Sequence, residues 1–156
     1  MPLTFDDRKL LPPGVHEATL DEVAELFARF QRSDRRMKLM AKLREYLAAL
    51  KKAGVGQAVI VDGCFVMGCV DEPDDIDVML VHSSEWNMDA LLLPYQYSLM
   101  DKKFTKKTYG LEVFSVQAGS DEEREWKSFF GNVNVKWCRL FEWPEDLCKG
   151  IVRVAL

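Results

Sequence analysis

Apolar residues recur with helical spacing in the first third of the chain. The positions at i, i+3, i+4 and i+7 are occupied by Val23, Leu26, Phe27 and Phe30. Thr19 and Glu22 stand in front of them in the arrangement of a capping box, in which each side chain accepts a backbone N–H of the other residue. The pattern therefore predicts a helix over residues 20–30.

A second helical stripe follows after a polar break. Its apolar positions are Leu39, Leu43, Tyr46, Leu47 and Leu50. Ser33 is a suitable cap for its start, and Gly54 is a suitable C-terminal stop. The residues between the stripe positions are basic, so we expect them to form an outward, solvated face: Arg35, Arg36, Lys38, Lys42 and Arg44.

The rest of the chain alternates between strand-like and helical patterns. Strands are predicted over residues 57–61, 75–81, 110–116 and 151–156, where β-branched and apolar residues dominate. Residues 88–93 are predicted to be helical up to Pro94, and Ser120 with Glu123 caps a helix that ends at Gly131. Residues 1–18 hold three prolines and read as an extended arm. We expect one α/β (α+β) domain over residues 1–156, with a small mixed sheet and helices mainly on one side.

Composition narrows the class of protein. The chain has 156 residues, 48% of them hydrophobic and 29% charged, as in ordinary globular domains. No apolar run approaches the roughly 20 residues that span a bilayer, and the N-terminus lacks the pattern of a secretory signal. A cytoplasmic protein without a membrane segment is therefore expected. Four cysteines without C-x-x-C spacing and two histidines give little support for a zinc site.

The charge is negative overall but uneven. A net charge of −4 argues against a nucleic-acid binder over the whole surface. Basic residues nevertheless concentrate in two places, residues 29–52 and the group Lys102, Lys103, Lys106 and Lys107. Either group could attract a polyanion or a nucleoside triphosphate, and either could simply be the solvated face of a helix.

The most informative stretch runs from Gly63 to Leu80. A glycine turn follows a buried strand, and five carboxylates then fall within residues 71–77. Asp75 and Asp77 alternate with apolar residues, so they share one face of a strand, roughly 6–7 Å apart. Two carboxylates at that separation can reach one Mg²⁺ ion, which prefers carboxylate oxygens and leaves room for phosphate. The alternative is an acidic surface turn, since Pro73 and Asp74 are good turn residues.

The spacing of these residues carries a resemblance to a known superfamily. Gly63 and Cys64 are followed, after ten residues, by Asp75-Ile76-Asp77-Val78. This resembles the signature of the DNA polymerase β-type nucleotidyltransferases. The wider chain is similar to the small DUF6932 family, through residues 11–19, 62–66 and 149–154. The resemblance therefore covers nearly the whole chain and implies a minimal nucleotidyltransferase fold.

The resemblance also implies an activity and a set of site residues. Asp75, Asp77 and Glu112 would be the catalytic carboxylates and the ligands of Mg²⁺ or Mn²⁺. Gly63, Cys64 and Phe65 would contact the triphosphate of a nucleoside triphosphate such as ATP. The reaction would transfer a nucleoside monophosphate to a hydroxyl of a protein or an RNA. Small stand-alone members of the superfamily often act in toxin–antitoxin or defence modules, which implies a protein partner.

Other interpretations stay open at this point. Cys64 stands where the superfamily usually has Ser or Gly, and a thiol is a weaker donor to phosphate. With no second domain to form a base pocket, the chain could be a catalytically inactive module for binding or regulation. A glycosyltransferase that uses an Asp-x-Asp motif is a third possibility. Glu112 could be an outward-facing charge on an edge strand, and Tyr95 and Tyr97 could stack on a base or pack.

Overall fold

A five-stranded mixed sheet lies at the centre of the computed structural model, which describes residues 3–83 and 93–156. The strands are β1 (Gly14–Glu17), β2 (Ala58–Asp62), β3 (Ile76–His82), β4 (Leu111–Gln117) and β5 (Gly150–Ala155). Their spatial order is β1-β5-β2-β3-β4. The two outer pairs, β1 with β5 and β3 with β4, are parallel, whereas β2 pairs antiparallel with both of its neighbours.

Six helices accompany the sheet in the described part of the chain. They are α1 (Leu20–Phe27), α2 (Arg35–Ala53), α3 (Pro94–Ser98), α4 (Lys102–Tyr109), α5 (Asp121–Phe130) and α6 (Val135–Leu140). The chain is therefore a mixed α/β protein, as the sequence predicts. No helix of the described residues is both long enough and apolar enough to span a membrane.

The two faces of the sheet are covered unequally. On one face, α1 and α2 pack against alternate residues of the strands, among them Val59, Val61, Val78 and Leu80, to form the larger part of the core. On the other face, a smaller cluster formed by Ile60, Met79 and Val116 is covered by Phe130 of α5. This agrees with the prediction that helices lie mainly on one side.

The sequence patterns located most of the elements. The capping box of Thr19 and Glu22 forms as predicted, Gly54 ends α2 in the left-handed conformation, and α5 runs from the Ser120 cap to Gly131. The first helix, however, ends at Phe27 instead of residue 30, and Phe30 is 70% exposed. Asp34, one residue after Ser33, is the N-cap residue of α2, but its side chain makes no capping hydrogen bond, whereas the Ser33 hydroxyl accepts from the backbone N–H of Arg35 at 3.2 Å.

Several predictions were wrong. Residues 14–17 of the predicted arm form strand β1, because β5 offers them a parallel edge to pair with. Pro94 begins helix α3 instead of ending a helix, which suits a first-turn residue that needs no N–H donor. Residues 88–92 of the helix predicted there lie outside the described residues. The sequence patterns also missed α4 and α6, which are only eight and six residues long.

Candidate functional site

Three carboxylates lie side by side on three neighbouring strands. The strand register pairs Asp62 of β2 with Asp77 of β3, and Asp77 with Glu112 of β4. Because residues directly opposite each other in paired strands point to the same face, the three side chains form one row, which we call the acidic row. Asp75 precedes Asp77 by two residues and so belongs to the same face.

The structure thus brings together Asp75, Asp77 and Glu112, which the sequence analysis selected. Asp62 was missed, because a single aspartate at the end of an apolar strand carries no signal until its register with Asp77 is known. The acidic row continues the face that carries Ile60, Met79 and Phe114, each two residues further into the sheet. It therefore lies where the apolar cover of that face ends.

Gly63 lies directly against the acidic row. Its φ angle is +80°, a conformation that side-chain-bearing residues rarely adopt. A Cβ atom at this position would collide with the Oδ2 atom of Asp77. The residue must therefore be glycine for two reasons, its backbone conformation and its contact with Asp77. The chain then continues as a single 3-10 turn, Gly63–Val66.

The carboxylates of the site repel one another. Burial raises the pKa of Asp77 to about 6, and the neighbouring charges of Asp75 and Glu112 add to the effect. The Nζ atom of Lys106 on α4 lies between the carboxylates of Asp75 and Glu112, 2.8 Å from Oδ2 of the first and 3.1 Å from Oε1 of the second. The hydrogen bond to Asp75 is the main reason that the pKa of Lys106 is raised. One lysine of the second basic group is thus a countercharge within the site.

Asp62, at one end of the acidic row, is buried in the neighbourhood of Lys149. Asp62 is fully buried, and neither of its carboxylate oxygens has a hydrogen-bond partner among the described residues. Burial raises its pKa well above the ordinary range, repulsion by Asp77 adds to this, and the charge of Lys149 opposes it. Lys149 is 3% exposed and donates a hydrogen bond of 2.7 Å to the carbonyl of Phe130. Burial lowers the pKa of this lysine, against the attraction of Asp62.

A second buried cation supports the chain that follows Gly63. The guanidinium of Arg36 is 1% exposed and donates to the carbonyl oxygens of Phe27, Phe65, Met67 and Val70 at 2.7–3.2 Å. Three of these carbonyls belong to residues 65–70. The prediction that Arg36 lies on the solvated face of its helix was therefore wrong, because these carbonyls can satisfy the guanidinium donors only if the side chain points inward.

The three predicted triphosphate contacts differ in accessibility. Gly63 and Cys64 line a cleft of about 510 Å³ together with Asp77 and Lys149. Burial raises the pKa of the Cys64 thiol, so that it stays protonated and does not repel phosphate as a thiolate would. The Phe65 ring is fully buried and packs against Phe27 at 5.9 Å between centroids. Only the backbone of Phe65 could therefore reach a ligand.

The carboxylates do not form a ready-made metal cage. Within residues 3–83 and 93–156, no group of three or more His, Cys, Asp or Glu side chains is arranged to hold a metal ion. This does not conflict with a magnesium site of the kind predicted, since Mg²⁺ is usually bound through one or two carboxylates, water and substrate phosphates. Asp75 and Asp77 supply the right donor type for that arrangement, and a cation would relieve their mutual repulsion.

The fold and site define a mixed α/β domain in which a glycine turn contacts an acidic row beside a cleft. The chain belongs to a family of unknown function (DUF6932), whose model matches residues 3–155. No curated protein and no solved structure matches the chain. Membership of the DUF6932 family is therefore confirmed, whereas the relation to the polymerase β-type superfamily stays a prediction.

Proposed function

We propose that this protein binds a nucleoside triphosphate as its magnesium complex and transfers the nucleoside monophosphate to a hydroxyl of a protein or an RNA. One observation carries the proposal: Gly63 packs directly against the carboxylate of Asp77, next to Asp75. Backbone N–H groups at a glycine turn are good phosphate donors, and paired carboxylates are good magnesium ligands. Because the glycine turn contacts these carboxylates, a phosphate bound by the turn and a metal ion bound by the carboxylates would lie next to each other.

The residues present fit such a metal. Asp75 and Asp77 would hold Mg²⁺, or Mn²⁺ in its place, with Glu112 as the third carboxylate in reach. When bound, the ion would neutralise phosphate charge and lower the pKa of the acceptor hydroxyl. The protein's own part is to hold the carboxylates close together, to present the N–H groups of Gly63 and Cys64, and to keep this turn rigid through Arg36.

A specific observation favours a second candidate function, a non-catalytic module that keeps the fold. Lys106 already bridges Asp75 and Glu112, so part of the negative charge is neutralised by the protein itself. A metal ion would have to compete with this ammonium group. The other support for this alternative, the lack of a base pocket, is weakened by the cleft that opens beside Gly63 within the same domain.

Calorimetry tests the binding step. ATP, GTP, CTP and UTP are titrated into the protein with and without Mg²⁺, using the wild type, Asp77→Asn and the control Asp74→Asn. The Asp74 side chain is 93% exposed and lies outside the acidic row. We expect magnesium-dependent binding that Asp77→Asn weakens about tenfold or more and Asp74→Asn leaves unchanged. Absence of binding for all four nucleotides contradicts the proposal.

Transfer of label separates the two candidates once a nucleotide is known to bind. The protein is incubated with that nucleotide labelled at the α-phosphate, together with total protein or total RNA as acceptor. Label on either acceptor, lost in Asp77→Asn, identifies a nucleotidyltransferase and its acceptor class. A protein acceptor would agree with the toxin–antitoxin or defence role that the resemblance implies. Binding without transfer or pyrophosphate release identifies the non-catalytic module.

A further inference from the structure

The cleft beside the acidic row extends well beyond the groups that would hold phosphate and metal. Part of its wall is formed by Gly63 and Asp77. The rest is formed by the last residues of α5, which include Phe129, by the segment that joins α5 to α6, and by the first residues of α6, which include Trp137. Its volume of about 510 Å³ falls within the 300–1,000 Å³ typical of small-molecule sites.

The wall formed by α6 combines an aromatic ring with positive charge. Trp137 is half-buried, belongs to the same hydrophobic cluster as Cys64, and stacks on Phe141 at 6.2 Å between ring centroids, so its ring is held in place. The Nζ atom of Lys136 lies 4.7 Å from the centroid of this ring. Because the Lys136 side chain is exposed, the part of the ring that it covers can be reached from solvent. Lys149 adds a second cation to the cleft.

This combination selects one chemical class of ligand. A cleft with two lysines at its walls and a glycine turn at its end suits a polyanion, and an accessible indole suits a flat aromatic group. A nucleotide carries both groups in one molecule. Tyr95 and Tyr97, the other residues considered for stacking, are exposed on α3, which contacts α2 on the opposite face of the sheet. They are not placed to contact a base in this cleft.

We propose that the cleft is the nucleoside pocket of the site, with the base stacked on Trp137 and the phosphates directed toward Gly63 and Asp77. This inference rests on the proposed function, which supplies the triphosphate and its metal. It adds the position of the base and the side chain that holds it. Lys136 is then the group that the base displaces from the indole ring.

The test compares ATP with inorganic tripolyphosphate, which has the phosphates but no base. Both are titrated with Mg²⁺ into the wild type, Trp137→Leu, Trp137→Phe and the control Trp143→Leu. Trp143 belongs to the same hydrophobic cluster but is not part of the cleft wall. Thermal unfolding of each variant establishes that it is folded, and Trp137→Phe keeps an aromatic ring in place if Trp137→Leu fails to fold.

We expect Trp137→Leu to weaken ATP binding about 5- to 100-fold and to leave tripolyphosphate binding unchanged. Trp137→Phe and Trp143→Leu should bind both ligands nearly as the wild type does. Equal affinity of the wild type for ATP and tripolyphosphate would overturn this inference and leave the proposed function standing. An equal loss for both ligands in Trp137→Leu would also overturn it, since the ring would then only support the turn. Failure of tripolyphosphate and of all four nucleotides to bind overturns the proposed function and the inference with it.

Discussion

Two buried cations stand near the Gly63 turn, and their surroundings differ. Arg36 donates five hydrogen bonds to backbone carbonyls. Within the described residues the ammonium group of Lys149 donates one hydrogen bond, to the carbonyl of Phe130, and it lies near the Asp62 carboxyl, which has no hydrogen-bond partner there. Both cations cost free energy to bury, but only the first is fully compensated by its hydrogen bonds.

The difference separates a structural region from a candidate functional one. The carbonyls around Arg36 fix the course of residues 65–70, so that part of the loop has one conformation. Around Lys149, Asp62 and Asp77, like charges are crowded and a buried polar group is left unsatisfied. Uncompensated groups of this kind are rare in cores and tend to occur at functional sites.

Replacing Arg36 should have the largest effect on stability. Arg36→Met removes the guanidinium donors from four carbonyls, of which only that of Met67 keeps a second donor in the described part of the chain, the backbone N–H of Val70, so we expect the free energy of unfolding to fall by about 3–5 kcal/mol. Urea unfolding measures this change. The control Lys38→Met, on the exposed part of the same helix, should change stability by less than about 0.5 kcal/mol. A loss below about 1 kcal/mol for Arg36→Met would mean that its hydrogen bonds do not hold the loop.

Gly63→Ala should destabilise the protein through two separate effects. The new Cβ requires a strained backbone and also meets the Asp77 carboxylate, and we expect a loss of about 2–4 kcal/mol. Gly119→Ala is a matched control, because Gly119 has a similar φ of +76° but no atom within 4 Å of the added Cβ. It should cost only about 1 kcal/mol. Equal losses in urea unfolding would show that the contact with Asp77 has no effect on stability.

Asp77→Asn should stabilise the metal-free protein. The folded-state pKa of Asp77, about 6, lies above its ordinary value of 3.8, so the folded protein holds this proton more tightly than the unfolded chain does. The stability of the wild type should therefore fall as pH rises from about 4 through 6, and remain lower above that range. After allowance for solvent screening we expect Asp77→Asn to gain about 1–2 kcal/mol at pH 7.

Chemical denaturation of the wild type and Asp77→Asn at pH 4.5 and pH 7, in buffer that contains EDTA, measures this difference. The gain from the substitution should be small at the lower pH and larger at the higher pH. A substitution that is equally destabilising at both values would identify Asp77 as a structural residue whose hydrogen bonds matter more than its charge.

Lys106→Met should have the smallest effect on stability and a distinct effect on metal binding. The lysine is half-exposed, and its ion pairs with Asp75 and Glu112 should be worth less than about 1 kcal/mol. Removing it leaves both carboxylates without a countercharge, so Mg²⁺ should bind the metal-free protein more tightly, as measured by calorimetry. Lys103→Met, on the same helix, serves as the control. Unchanged or weaker binding by Lys106→Met would show that Lys106 does not occupy the place of a cation.

Much of the fold follows from the sequence because its signals are local. The capping box at Thr19, the hydroxyl cap at Ser120, the stop at Gly54 and the apolar stripe of α2 each depend on residues within a few positions of one another. The same holds for the pairing of Asp75 with Asp77, since the period of a strand fixes which face they share. Short helices such as α6 offer too few turns for a periodic pattern, and they form because tertiary packing supports them.

The remainder of the site depends on contacts between distant residues. Asp62 becomes notable only when β2 and β3 pair in a register that sets it opposite Asp77. Arg36 lies four and seven residues before Met40 and Leu43, so helical spacing places it on the buried stripe of α2 and not with the solvated basic residues. Its charge argues against burial until the carbonyls of residues 65–70, which accept from it, are known. Lys149 and Trp137 come to the cleft from the C-terminal quarter of the chain, and no local pattern connects them with Gly63.

The most direct test of the central claim measures the free ion by electron paramagnetic resonance of Mn²⁺. We expect the wild type with ATP to remove more of the free Mn²⁺ signal than ATP and the protein remove separately, because the acidic row and the triphosphate bind the ion together. Asp77→Asn should abolish the additional binding, whereas Asp74→Asn should retain it. If the loss of free Mn²⁺ signal with ATP and protein together only equals the sum of the two separate losses, Gly63, Asp75 and Asp77 do not form a site for a metal–triphosphate complex.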